Sequence, residues 1–296
     1  MKPLSVMRTR ARDALRLHFI LALVATLLAS LPSLLLQAAV IFSQDSFLHV
    51  LQQYQYAQMT DEVFLRVLRG TVSYLPSHVR LLWQLLPVSN LILPFLNLGR
   101  LYLMLRMIRG LTVTAGDLFA RACCFLKAIV LQVIMSVKVL LWGLPGFAVM
   151  VLSVFVLQWT QSLDAFTFLY MAGLAVMIVL MIHASLSYAM APLRMADQKE
   201  RGPVECLRTS KQWMRGRTRE LFAVIAFFFL YMLLNEIVSS LAANISDLLG
   251  TVVSLILSLI VNAYLQMTVC VWYEENFAGL SQTAQETEKR DPFAAE

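Results

Sequence analysis

Long runs of apolar residues recur along the chain, separated by short polar segments that contain most of the Lys and Arg residues. A helix needs about 20 apolar residues to cross the hydrocarbon core of a bilayer, and these runs reach or exceed that length. Because lipid offers no partner for backbone polar groups, such runs are predicted to be helices. We therefore predict an all-α, polytopic transmembrane bundle over residues 1–273, followed by an acidic, disordered tail over 274–296. The six predicted spans cover residues 18–43, 81–105, 125–158, 165–192, 221–243 and 248–272.

The third run is longer than a bilayer requires. It contains Lys138 and, further on, the sequence Gly143-Leu-Pro145-Gly146. One interpretation starts the span near Val139 and leaves residues 117–138 as a separate cytoplasmic or interfacial helix. The other is a single long helix that bends at Pro145.

Two polar segments show a helical pattern of their own. Residues 61–75 place apolar side chains on one helical face and charged ones opposite, which predicts a helix in the outer headgroup layer. In residues 203–216, Pro203 favours a helix start and Gly216 a helix end. Leu207, Ser210 and Met214 share one face of that helix. The second segment is therefore predicted to be a cytoplasmic amphipathic basic helix.

The distribution of positive charge predicts the orientation. With the N-terminus inside, the cytoplasmic segments contain nineteen Lys and Arg residues and the outer segments contain three. This bias is typical of a protein with both termini in the cytoplasm. The apolar run after residue 17 is too long for a cleaved signal peptide, so we expect an uncleaved first span.

Composition narrows the function classes. The chain is 59% hydrophobic and 14% charged, with a net charge of +6, but its basic residues lie in short loops, which argues against nucleic acid as a partner. The four cysteines show no C-x-x-C spacing and the four histidines are scattered. No hydrolase, phosphate-loop or metalloprotease motif appears. We therefore predict a non-enzyme without cofactor or metal.

Polar residues within the predicted spans are candidate functional groups, because each needs a partner or a cavity. Glu236 is the acidic residue that lies well inside a predicted span. Lys138 could pair with it if the third helix starts well before Val139. A P-x-x-N unit repeated in the second span predicts either a kinked helix or a broken one that exposes carbonyls. The polar row in the sixth span could form interhelical hydrogen bonds or line a cavity. The candidate intramembrane set is Glu236, Asn235, Lys138, Asn262, Gln266, Ser258, Asn90 and Asn97.

The basic segment before the fifth span has two compatible interpretations. It could act only as a topology determinant, or it could form a surface that binds anionic headgroups on the inner leaflet. The candidate headgroup-binding residues are Arg208, Lys211, Arg215 and Arg217.

Several motifs resemble a bacterial membrane-protein family, the one catalogued as domain of unknown function nine-seven-five. They include the stretch from Tyr188 to Asp197, with its Pro192 and Ala-Asp pair, and the basic segment from Glu205 to Gly216 that ends in Met-Arg-Gly. Similar points are Leu98-Gly99-Arg100, Leu141-Trp142-Gly-Leu-Pro145 and Trp272-Tyr273-Glu274. The resemblance implies a multi-pass protein of the bacterial plasma membrane and brings no known activity or site residues.

Three function classes follow. We favour a non-catalytic membrane scaffold or accessory protein that binds lipids, above all anionic headgroups on the cytoplasmic side, or a partner membrane protein. The alternatives are a transporter or permease-like protein with a polar intramembrane cavity, and a membrane enzyme acting on lipid-linked substrates. Internal repeats, which are common in transporters, are not evident beyond the P-x-x-N pair.

Overall fold

A computed structural model describes residues 4–32, 34–35, 77–160 and 162–278. The protein is an all-α polytopic bundle, and no strand occurs within those residues. The helices are α1 (Leu4–Leu17), α2 (Phe19–Pro32), α3 (Ser77–Ile108), α4 (Phe125–Thr160), α5 (Leu163–Tyr188), α6 (Ala191–Asp197), α7 (Pro203–Trp213), α8 (Thr218–Ala243) and α9 (Asp247–Tyr273). Two short 3-10 turns, Ala115–Phe119 and Ala122–Cys124, lie between α3 and α4, and a π-helical turn, Glu274–Ala278, follows α9.

Five helical stretches of the described chain are long and apolar enough to cross a membrane, and α1 with α2 would make a sixth if that bent pair is one span. The protein is therefore membrane-embedded and multi-pass. The chain forms two compact units, residues 27–97 and the larger unit of residues 1–26 and 98–296. All the sites considered below lie in the larger unit, apart from Asn90 and Asn97.

The second predicted span forms one helix. α3 continues without interruption through Pro87 and Pro94. Proline is tolerated in a membrane helix where its surroundings compensate for the lost hydrogen bond. Of the two interpretations of the P-x-x-N repeat, the broken helix is therefore wrong.

The third predicted span is also a single helix. α4 runs for 36 residues with Pro145 inside it, so the interpretation with a separate helix before Val139 is wrong. The Lys138 ammonium lies 5.5 Å from the centre of the Tyr188 ring, and Tyr188 is the last residue of α5. The first 13 or so residues of α4 therefore extend about 20 Å beyond the end of α5. This extension contacts the loop after α6, where Lys127 donates a 3.1 Å hydrogen bond to the Lys199 carbonyl.

Close packing of α4 against α5 depends on glycine. A Cβ atom on Gly146 would lie 2.4 Å from the backbone nitrogen of Met177, and one on Gly173 would lie 2.9 Å from the backbone nitrogen of Met150. Small residues allow two membrane helices to approach closely enough for backbone contact, which is the main source of their association in lipid. The Gly143-Leu-Pro-Gly146 motif therefore serves helix packing.

Two predictions fall partly or wholly outside the described residues. The outer interfacial helix over 61–75 is one, and most of the tail over 274–296 is the other. The start of that tail is described, because Glu274–Ala278 forms the π-helical turn and Phe277 is buried. The packed domain thus extends a few residues beyond its predicted end at 273.

Candidate functional site

The segments that were predicted to be cytoplasmic meet at one end of the helices. Arg109, which follows α3, forms ion pairs with Asp197 of α6 at 2.7 Å and with Glu274 after α9 at 2.9 Å. The Tyr273 hydroxyl donates a hydrogen bond to Asp197 over 3.3 Å. Partial burial by itself lowers the pKa of Arg109, but its hydrogen bonds to Glu274 and Asp197 outweigh burial and raise the pKa overall. A charged guanidinium therefore joins three helix ends.

An aromatic contact connects α7 to the same cluster. The rings of Trp213 and Phe277 stack with their centres 4.7 Å apart, and the Arg194 guanidinium lies 4.6 Å from the Trp213 ring. Arg194 also lies 3.9 Å from the Glu205 carboxylate, which pairs with Arg201 as well. These contacts hold α7 against the bundle.

The predicted basic helix is confirmed by α7. Gly202 caps its start, Pro203 is its first residue, and Gly216 follows its end with a φ of 84° that favours glycine. Its apolar face is buried through Cys206, Leu207, Ser210 and the following Met214. Burial raises the pKa of the Cys206 thiol to about 11, so this cysteine is a neutral packing group.

The opposite face of α7 borders a pocket of about 570 Å³ next to the end of α5. His183 and Ser187 line the α5 side. The remaining lining residues are Arg208, Lys211, Gln212, Met214, Arg215, Gly216 and Thr218. Three of the four predicted headgroup residues thus share one pocket. The fourth, Arg217, instead lies 5.4 Å from the centre of the Phe277 ring.

The three cations in this pocket have no carboxylate partner in the part of the chain that the structure describes. Arg208, Lys211 and Arg215 are exposed, and within the described residues none of them forms an ion pair. None of the residues that line the pocket is acidic. By contrast, nearby arginines at this end are paired, as in Arg106–Asp117, Arg109–Glu274 and Arg201–Glu205. The pocket therefore carries uncompensated positive charge that an anion would neutralise.

The pocket lies about one hydrocarbon-core thickness along α5 from the start of that helix. α5 begins at Leu163, so His183 is about 30 Å further along the helix, which equals the thickness of a hydrocarbon core. Trp142 of α4 contacts His183 edge to face, with ring centres 6.3 Å apart. Tryptophan is enriched at the level where headgroups meet the hydrocarbon region. His183 was not among the candidate residues predicted from the sequence, and its spacing of four residues from Ser187 was the available signal for a shared helical face.

Among the described residues, the candidates predicted around Glu236 do not converge on one intramembrane site. Glu236 is exposed on α8, so its carboxylate does not point into the described part of the bundle. The neighbouring Asn235 is buried instead and accepts a 3.4 Å hydrogen bond from Ser239. α8 contacts α9 through Phe228, whose ring lies against Tyr264, and Asn235 and Ser239 are buried seven and eleven residues further along, near the same helical face. Glu236 points about 100° away from Asn235, because each residue of a helix is rotated by that angle from the one before it.

The other predicted intramembrane residues are also dispersed. Lys138 contacts Tyr188, and no hydrogen bond within the described residues joins Glu236 to Lys138 or Asn262. In α9, Asn262 and Gln266 are half-buried, whereas Ser258 is exposed. Of these three members of the polar row, Ser258 therefore does not face the interior of the described bundle. In α3, Asn97 is half-buried, and the side chain of Asn90 lies outside the described part.

No group of three or more His, Cys, Asp or Glu residues in the described parts of the chain is arranged to hold a metal ion. Cys123 and Cys124 are free thiols with their sulfur atoms 3.7 Å apart.

Comparisons with known proteins find no match to this chain among protein-family models, curated proteins or solved structures.

Proposed function

We propose that this chain is a non-catalytic scaffold or accessory protein of the bacterial cytoplasmic membrane that binds anionic lipid headgroups. The binding site is the pocket between α5 and α7. The observation that carries the proposal is the convergence of Arg208, Lys211 and Arg215 without any carboxylate partner in the described chain. Guanidinium groups and ammonium groups are the usual protein ligands of phosphate.

The remaining groups in the pocket suit a phosphate ester. Gln212 and Thr218 can donate hydrogen bonds to phosphate or glycerol oxygens, and His183 adds a ring nitrogen. The Ser187 hydroxyl donates to the His183 carbonyl over 2.9 Å and can only accept a hydrogen bond from a ligand. A volume of about 570 Å³ accommodates a headgroup larger than phosphate alone. The exposed apolar residues Ile178, Val179 and Ile182 precede the pocket on α5 and suit acyl chains of the same lipid.

We also propose that this end of the bundle is cytoplasmic, with both termini inside. The excess of Lys and Arg in the inner segments supports this orientation. It brings the pocket to the inner leaflet, where anionic lipids create a negative surface potential. Membership of the bacterial family that the motifs resemble is part of the same proposal.

Binding of phosphatidylglycerol to the full-length protein in nanodiscs tests the proposal, with phosphatidylcholine nanodiscs as the reference. Each of Arg208→Gln, Lys211→Gln and Arg215→Gln should weaken binding about fivefold, because a basic residue near anionic lipid contributes about 1 kcal/mol. The effect should shrink at high salt.

Arg219→Gln is the matched control, because Arg219 is exposed, follows the same segment and does not line the pocket. We expect this variant to bind like the unmodified protein. If all four variants lose affinity equally, binding depends on general surface charge and the pocket assignment is wrong. If none loses affinity, the basic segment acts only as a topology determinant.

A further inference from the structure

A second basic pocket lies on α1, far along the chain from the first. α1 is amphipathic, with Met7, Ala11 and Leu15 buried at four-residue intervals and arginines on the remaining surface. At Leu17 the chain bends by 95° into the apolar helix α2. A basic amphipathic helix that turns sharply into an apolar one is typical of a segment that lies in the membrane surface.

Contacts with α8 and α9 hold α1 in place. The Tyr264 hydroxyl donates a hydrogen bond to the Arg8 carbonyl over 3.4 Å. The Arg8 guanidinium lies 3.9 Å from the centre of the Phe227 ring. Arg10 pairs with Glu275 at 3.4 Å. The orientation of α1 relative to these two helices is therefore defined by side chains along its length.

Arg8, Thr9, Arg12 and Tyr264 line a pocket of about 200 Å³ at this junction. The Nε of Arg8 is buried and has no hydrogen-bond partner among the described residues. Arg12 is paired with Asp13 at 3.8 Å, but both side chains are more than half exposed, so the pair is weak. Arg8 and Arg12 thus border a space large enough for a phosphate group. The Thr9 hydroxyl and the Tyr264 phenol complete its lining, and they donate to the Val6 and Arg8 carbonyls.

This pocket lies near the edge of the hydrocarbon core, further along α8 than Thr218 of the first pocket. Tyr264 lies about 26 Å along α9 from Asp247, and Phe227 lies about 24 Å along α8 from Ala243. Both distances approach the thickness of the hydrocarbon core, measured from the opposite end of the bundle. Tyrosine is also a typical residue of the interface.

We infer that the α1 pocket is a second anionic site that binds the phosphate of a lipid headgroup. It shares no residue with the pocket between α5 and α7, so it can bind lipid even if the proposed function of that pocket fails. With both pockets occupied, the protein would hold two separate anionic lipids at one end of its helices.

Photocrosslinking tests the inference. The full-length protein is placed in nanodiscs containing phosphatidylglycerol with a photoactivatable headgroup, and crosslinked peptides are identified by mass spectrometry. We expect crosslinks in α1 and near Tyr264, reduced about fivefold by Arg12→Gln and also by Arg8→Gln. Arg16→Gln should leave them unchanged, because Arg16 is on α1 but outside the pocket.

Arg12→Gln is the decisive variant, because Arg12 is exposed and its loss leaves the packing of Arg8 on Phe227 intact. Equal crosslinking in the Arg12→Gln and Arg16→Gln variants would overturn the α1 site. Displacement of the lipid by millimolar inorganic phosphate would show that the pocket binds free phosphate, and would overturn the assignment to lipid. If the Arg12→Gln variant loses the crosslinks in α1 and retains those at α7, the two sites are independent.

Discussion

The Ser210 hydroxyl donates a 3.0 Å hydrogen bond to the backbone carbonyl of Ser187. Ser210 is fully buried on the inner face of α7, and Ser187 is in the last turn of α5. The bond therefore joins the two helices that form the larger basic pocket. It fixes the distance between the cations on α7 and the His183 side of the pocket.

Ser210→Ala should loosen this connection without removing any charge. The lost bond leaves the Ser187 carbonyl unsatisfied, and we expect the free energy of unfolding to fall by about 1 kcal/mol. Phosphatidylglycerol affinity should decrease because the cations no longer share one fixed pocket. Thr209→Ala is the control, since the Thr209 hydroxyl bonds only to Glu205 in its own helix, at 2.9 Å. Equal affinity in both variants would contradict a role for the Ser210–Ser187 bond.

The ion pairs of Arg109 should be energetically coupled. Arg109→Gln strands the carboxylates of Asp197 and Glu274, which are only 11% and 17% exposed, so we expect a loss of about 3 kcal/mol. Glu274→Gln should cost less, because Asp197 still neutralises Arg109. The double variant should be more stable than the sum of the single effects predicts. Unfolding in detergent measures all three, and strictly additive losses would count against the coupling.

Gly146→Ala should disrupt the contact between α4 and α5. Its new methyl group would lie within 2.5 Å of the Met177 backbone, which cannot move aside as a side chain can. We expect a destabilisation of about 1–3 kcal/mol. Gly143→Ala is the control, because the nearest atoms there belong to the flexible Met181 side chain, at 3.3 Å. Similar melting temperatures for the two variants would refute the backbone contact.

Lys138 and Glu236 should behave as independent residues. Lys138 contacts Tyr188, whereas Glu236 is exposed on α8. The stability effects of Lys138→Met and Glu236→Gln should therefore add to within about 0.5 kcal/mol in a double-mutant cycle. A larger coupling energy would support an ion pair between Lys138 and Glu236.

Cysteine labelling tests the proposed orientation. In a chain with Cys123→Ser, a membrane-impermeant maleimide should label Ser246→Cys in intact cells, because the loop between α8 and α9 is then external. Arg215→Cys should react only after the membrane is permeabilised. Labelling of Arg215→Cys in intact cells would reverse the topology and move the basic pocket to the outer leaflet.

Much of the architecture could be predicted because a bilayer imposes length and polarity along the chain. The fifth predicted span, 221–243, corresponds to α8 at Thr218–Ala243, and the sixth, 248–272, to α9 at Asp247–Tyr273. The amphipathic pattern of 203–216 likewise predicts α7 and three of the residues that line its pocket. These features depend on local sequence, since helix period and hydropathy determine which face or segment avoids water.

Only the tertiary structure decided how the helices are rotated and where they end relative to one another. Asn235 and Glu236 are adjacent in the chain, yet the packing of α8 on α9 buries one and exposes the other. Hydropathy could not predict that Lys138 lies at the level of Tyr188, because it does not report how far α4 extends past α5. Arg8 and Tyr264, and likewise His183 and Arg208, are brought together by contacts between distant segments. Lipid solvates every apolar helix face about equally well, so hydropathy does not select which faces meet. The specific fit of side chains and glycines between helices determines their rotation and their contacts.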